Sequence, residues 1–371
     1  MKKRAHWTYT GIISLSLIFM SGCGIFQGEQ AMEEIDSPPK EANYSDDLEG
    51  VSEDGNVQLG DAEQTDTEET NQESDAEVET VERQLYLLDS NGMVVPQTVE
   101  LPKSESKAVA TQVLEYLVKG GPVTELLPDG FQAVLPSGTE VLGLNLEEDG
   151  TLTVDLSNEF AEYRAEDEQK IIQAMTYTLT QFENVKKINL WINGYEQKEM
   201  PVNGTPITDG YSRADGINIY NNDSVDLMDS EAVTLYYPAQ QNDQFYYVPV
   251  TQHIEMDNDT MYQSIVQALI DGPSFSLNLL NVFNGGAALT EKPNYKDGVL
   301  ALTFNENILS DLEAQSIDDK VMETLVLTLT NQPGIEAVSV NVENYEEVFN
   351  EDGVPYSEPV TRDSFVPTGS L

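Results

Sequence analysis

Thr178-Leu179-Thr180 and Thr328-Leu329-Thr330 are one tripeptide in one setting, and the setting decides the fold. Each closes a run with helical spacing and leads into a run with strand alternation. The first pair of runs is Ile171 to Phe182 and Val185 to Ile192. The second is Ile317 to Thr330 and Ile335 to Val342. Working outward, other landmarks repeat with them. Gly121-Pro122 answers Gly272-Pro273, Asp149-Gly150 answers Asp297-Gly298, and Leu85-Tyr86 answers Leu235-Tyr236. The offset stays near 150 residues, about the length of one domain, so the chain is one fold used twice.

Each copy reads as β-β-α-β-β-α-β. In the first, about 83–213, Leu85, Leu87, Val94 and Val95 flank the turn signal Asn91-Gly92. Ala110, Val113, Leu114, Leu117 and Val118 follow at helical spacing, and Gly120-Gly121-Pro122 stops that helix. Glycines after a helix read as a stop; a phosphate loop would place them before one. Two alternating strands come next, with Leu142, Leu144 and Leu146, then Leu152, Val154 and Leu156 predicted to turn one face inward. Ile171, Met175, Thr178 and Phe182 stripe the second helix, and Ile188, Leu190 and Ile192 the last strand. The second copy, about 231–366, repeats this order, with its first helix ending at Gly272-Pro273. Residues 214–230 are the expected linker and 367–371 a tail. The predicted class is α+β, two tandem domains each with a sheet carrying two helices on one face. A chain of 371 residues leaves room for two independent cores.

Both copies end in a segment the core pattern does not require. Asn203-Gly204-Thr205-Pro206 answers Asp352-Gly353-Val354-Pro355, and Ser212-Arg213 answers Thr361-Arg362. Two matched arginines in a chain of net charge −48 call for a reason. The expectation is that Arg213 and Arg362 each staple the tail to a carboxylate of their own domain through paired hydrogen bonds.

Ahead of the repeats, Lys2, Lys3 and Arg4 precede an apolar run, Gly11 to Met20, too short to span a bilayer. Met20-Ser21-Gly22-Cys23 follows, the layout of a secretory signal over residues 1–22. The stretch is similar to a bacterial lipoprotein signal, which implies lipidation of Cys23 and anchoring through two acyl chains. Residues 24–82 hold twenty Asp or Glu and one basic residue, Lys40. Such a segment cannot bury enough surface to offset its ordering entropy, so residues 23–82 read as a lipidated cysteine and a disordered tether. As a flexible coil it would span roughly 40–45 Å.

Composition narrows the chemistry. The charge repels nucleic acid. One cysteine excludes an intramolecular disulfide, and two histidines, His6 and His253, leave little for zinc or nucleophilic chemistry. Asp155, Glu159 and Glu162 would be the carboxylates for glycoside cleavage, but 66 acidic residues make proximity uninformative. Asn222-Asp223 to Asp229 lacks the spacing of an EF-hand. No catalytic residue, cofactor or metal is assigned.

The helix ending at Gly121-Pro122, Leu135-Pro136-Ser137-Gly138-Thr139, Asp149-Gly150, Asp155-Leu156-Ser157, Thr178-Leu179-Thr180 and Asn193-Gly194 together resemble the GerMN domain. The second copy departs from it, with Asn284-Gly285-Gly286 in place of the Pro-Ser-Gly-Thr loop and Glu343-Asn344 in place of Asn-Gly. The resemblance implies a fold similar to ring-building motifs. It also implies a non-enzymatic role in endospore formation and later germination, in the space between mother cell and forespore, localising or building a transenvelope complex. The implied partners are the membrane through Cys23 and envelope proteins of that complex. The alternative reading is a cell-wall protein that binds or modifies peptidoglycan.

Overall fold

The computed structural model describes residues 79–104, 109–221, 230–242, 244–256 and 260–365. Cys23, the tether and the Asn222–Asp229 segment lie outside the described residues, as does the tail 367–371.

The first copy opens with β1 (Thr80–Leu88) and β2 (Val94–Pro102), an antiparallel hairpin. The Asn91-Gly92 turn makes it possible: Gly92 sits at a φ of 75°, and the Asp89 side chain accepts from the amides of Asn91 and Met93. A short helix α1 (Val109–Glu115) leads to β3 (Val141–Leu146) and β4 (Thr151–Leu156), which pair antiparallel. Helix α2 (Glu168–Leu179) then crosses over to β5 (Lys187–Ile192), which lies parallel to β4. Two short strands, β6 (Tyr195–Glu196) and β7 (Tyr211–Ser212), line the far side of β5. The tail that looked superfluous is therefore an edge strand of the sheet.

The second copy repeats this arrangement with β8 (Ser230–Gln241), β9 (Gln244–Glu255), α3 (Met261–Asp271), β10 (Asn294–Lys296), β11 (Val299–Phe304), α4 (Asp319–Leu329), β12 (Ala337–Val342) and β13 (Val360–Thr361). Its sheet runs β10-β11-β12-β13, with β11 and β12 parallel. The expected α+β class and tandem repeat are both present. In each copy the hairpin forms a two-stranded sheet apart from the mixed one, a division that alternation alone cannot express.

The stripe read on α2 is buried: Ile171, Met175, Thr178 and Leu179 are all inside, with β4's Leu152, Val154 and Leu156 beneath. Two expectations are corrected. Leu142 and Leu146 of β3 are 48% and 37% exposed: β3 is the sheet's outer strand, and the register shift between Val141 and Gly143 leaves Leu142 without a partner in β4. Nor are there two independent cores: the buried apolar residues of both copies form one continuous cluster, and the described residues one compact unit. The two hairpins pack together at the junction, which joins the cores.

Candidate interaction site at the junction of the two copies

The helix ends quoted first are where the hairpins dock. Thr178 and Thr328 are fully buried, and the hydroxyl oxygen of each accepts a backbone N–H from the hairpin of its own copy. Tyr86 donates to Thr178 at 3.0 Å and Tyr236 to Thr328 at 2.9 Å. Each hydroxyl thus takes a buried amide that β2 or β9 cannot reach. Two residues on, Thr180 and Thr330 donate back to the carbonyls of Thr176 and Val326 at 2.7 and 2.6 Å. The landmarks Leu-Tyr and Thr-Leu-Thr repeat together because they touch.

The matched arginines close the same junction. Each begins a short 3-10 turn just after its edge strand, β7 or β13. Arg213 donates through Nε to the Thr180 hydroxyl at 2.8 Å and through a terminal nitrogen to the Tyr177 carbonyl at 3.1 Å. Arg362 donates to the Leu327 carbonyl at 2.9 Å and to the Tyr236 hydroxyl at 3.1 Å. Their guanidinium carbons stand 4.6 Å from the Tyr177 ring centre and 5.0 Å from that of Tyr236. The staple to a carboxylate is corrected: among the described residues neither arginine pairs with one. The last-turn carbonyls of α2 and α4 carry the negative end of the helix dipole and accept the charge instead. Acidic residues are abundant in this chain, but here each arginine is received by one backbone carbonyl and one side-chain hydroxyl.

Burial raises the Tyr86 hydroxyl to about 12. Burial also opposes ionisation of Tyr236, but Arg362 and then Arg213 outweigh it and draw Tyr236 below the usual tyrosine range. One tyrosine of the second copy thus feels an arginine from each copy. Direct contacts between the copies add to this. The Tyr246 hydroxyl donates to Asp89 at 2.9 Å, the Phe131 and Tyr246 rings meet edge to face at 5.1 Å, and Gln241 donates to the Asp129 carbonyl at 2.7 Å. Asn218, in the segment after Arg213, clips both hairpins: it accepts from the Val94 amide and donates to the Val94 and Pro249 carbonyls.

The remaining predicted positions have structural surroundings. In the first copy Gly120 takes the left-handed conformation at a φ of 75°, while Gly121 caps the short turn that Pro122 begins. In the second copy Gly272 itself is left-handed at 82° and caps α3 ahead of Pro273. Asp155 accepts from the Gly194 amide and so holds the turn after β5. A hydrogen bond from Ser157 keeps Glu159 below the usual carboxylate range. His253 meets the Ser230 hydroxyl across the β8–β9 hairpin at 3.1 Å. Among the described residues no group of three His, Cys, Asp or Glu side chains is placed to hold a metal, and no helix is long and apolar enough to cross a membrane.

Sequence reasoning missed Glu168. Its buried carboxylate accepts from the amides of Val202, Asn203 and Thr205 and from the hydroxyls of Thr205 and Tyr163, all within 3.1 Å. One acid among 66 offers no signal.

Residues 84–198 and 234–348 each match the family described as "Germane: Sporulation and spore germination". The chain belongs to the Germane family. It is 46% identical over 359 residues, 96% of either chain, to the spore germination protein GerM of Bacillus subtilis. A solved structure of the tandem GerMN domains of the B. subtilis sporulation protein GerM superposes with a TM-score of 0.72. That match is 48% identical and covers 78% of this chain and all of the other. This Germane chain therefore has its role in sporulation and germination.

Proposed function

We propose that the protein is a non-enzymatic assembly module of endospore formation, held at the outer face of a cell membrane by lipid on Cys23. Residues 24–82 would act as a spacer, and the paired domains would present rigid surfaces to envelope proteins between mother cell and forespore. The observation that carries this reading is the junction. Its matched polar residues, Thr178, Thr180 and Arg213 with Thr328 and Arg362, are engaged in internal hydrogen bonds that fix hairpins to helices. A body made stiff in this way suits the display of docking surfaces, and the resemblance to GerM supports the setting. Affinity capture from sporulating cells, with and without muramidase digestion, tests it. Envelope proteins should remain bound after the glycan is digested. Loss of every captured protein on digestion would instead favour a glycan-binding role.

A further inference from the structure

The two hairpins are related by a repeat, but the described residues do not fill the grooves beside them alike. Hairpin register sets the correspondence: Tyr86 faces Pro96 as Tyr236 faces Pro249, so Thr98 stands in β2 where Thr251 stands in β9. By the same count Tyr247 corresponds to Val94. The amides of Gln84, Tyr86 and Leu88 all donate away from the hairpin, to Gln181, Thr178 and Gln132. Opposed residues in an antiparallel pair alternate between bonded and non-bonded. Val94 and Thr98 therefore turn their N–H and C=O to the outer edge, and Tyr247 and Thr251 do likewise.

On the Arg213 side that edge is occupied. Ile217 donates to the Thr251 hydroxyl and accepts from the Thr251 amide, both at 2.9 Å, and Tyr220 donates to the Thr251 carbonyl at 2.8 Å. Ile217 is fully buried, and Thr251 is 5% exposed. Gly216 starts this segment at a φ of 82°, and a side chain there would press on Thr251 at about 3.0 Å. Asn218 then satisfies Val94 and Pro249.

On the Arg362 side no described residue occupies the twin groove. Thr98 is exposed, and neither Thr98 nor Tyr247 has a partner for its edge-facing N–H or C=O among the described residues. Among the described residues the carbonyl of Pro96, the counterpart of Pro249, accepts only from the side-chain amide of the neighbouring Gln97. Pro96, Thr98, Tyr236, Tyr247, Arg362 and Phe365 line a cavity of about 250 Å³. In the sequence neither linker landmark, Gly216 nor Asn218, recurs at the 149-residue offset that relates Arg213 to Arg362. Phe365, at a φ of −125°, follows the 3-10 turn as Gly216 does, and in the sequence Pro367 answers Asn218.

We propose that this groove docks an extended segment of a partner protein, seated on Thr98 and Tyr247 as Gly216–Tyr220 is seated on Thr251 and Val94. The segment would carry an aliphatic residue followed by asparagine: the first fills the cavity, the second clips Tyr247 to Pro96, and the backbone extends β2. That such a partner exists rests on the assembly reading above, whereas the groove is tested separately from it.

The test adds a synthetic peptide of residues 214–221, Ala-Asp-Gly-Ile-Asn-Ile-Tyr-Asn, to the full chain and follows amide exchange residue by residue. Saturable slowing at Thr98 and Tyr247 is expected, with Thr251 unchanged. A peptide with the asparagine at position 218 replaced by alanine should bind at least about tenfold more weakly, one buried hydrogen-bonding group being worth roughly that. Thr98→Pro removes the edge N–H without touching the β1 ladder, so it should abolish the slowing and leave the melting temperature unchanged. Should that variant fail to fold, the two peptides decide alone. No slowing at Thr98 and Tyr247, or slowing only elsewhere, overturns the proposal. So does slow exchange of both amides in the peptide-free chain, which would mean that its own end or a second copy already fills the groove.

Discussion

At the scale of single residues, the hydroxyl oxygens of Thr178 and Thr328 each accept a buried hairpin amide and so fix a hairpin to a helix end. Thr178→Val keeps the shape but leaves the buried Tyr86 amide without an acceptor, which should cost about 1–3 kcal/mol. Thr178→Ser should restore most of that, and denaturant unfolding of the two variants checks the comparison. Glu168 makes a prediction with a sign. Burial raises its pKa, but the amides of Asn203 and Thr205 and the hydroxyls of Thr205 and Tyr163 outweigh burial, so the folded carboxylate titrates below its ordinary value. A depressed folded pKa contributes stability above the unfolded value, about 4.3, and that contribution is lost as pH falls through the folded value. Glu168→Gln should therefore lower stability at pH 7 and narrow its gap from the wild type on acidification below about pH 4. A gap that stays constant from pH 7 to 3 would remove Glu168 from this role. The importance of Thr178 was visible because it recurs at a fixed offset, whereas Glu168 has no counterpart that repeats its five contacts and is lost among the other acids.

At the scale of elements, the edge strands β7 and β13 and the turns after them convert a strand end into a clamp on a helix end. Arg213 reaches the last turn of α2 only because β7 pairs with β5 and delivers it there. Removing the side chain leaves the Tyr177 carbonyl and Thr180 hydroxyl underbonded, so Arg213→Ala should destabilise by about 2 kcal/mol. Arg213→Lys should recover less than half, since an ammonium cannot span both acceptors, and paired melting curves measure this. The order of elements was legible from periodicity, and the matched arginines announced a shared duty. Their carbonyl acceptors, Tyr177 and Leu327, were not legible, because a backbone carbonyl at a helix end carries no residue type; the hydroxyl acceptors, Thr180 and Tyr236, lie in the repeated landmarks. The exposure of Leu142 and Leu146 was equally hidden: alternation says which side chains share a face, not whether a strand lies inside the sheet or at its rim.

At the scale of the whole molecule, duplication was read correctly as one fold twice, but independence of the copies does not follow from duplication. Asp89 to Tyr246, Phe131 against Tyr246, and Asn218 to Val94 and Pro249 tie the copies into one core. At this scale the proposed lipid anchor predicts that Cys23→Ser releases the protein from the membrane fraction of sporulating cells, Cys23 being the sole cysteine of the sequence. A variant still in the membrane pellet would point to another anchor. The central claim, that the paired domains act as one rigid body, is tested most directly by calorimetry of the full chain with and without Arg213→Ala. One transition is predicted, with calorimetric and van't Hoff enthalpies equal, and the substitution should move it as a whole. Two separate transitions, or a shift confined to one of them, would contradict the account.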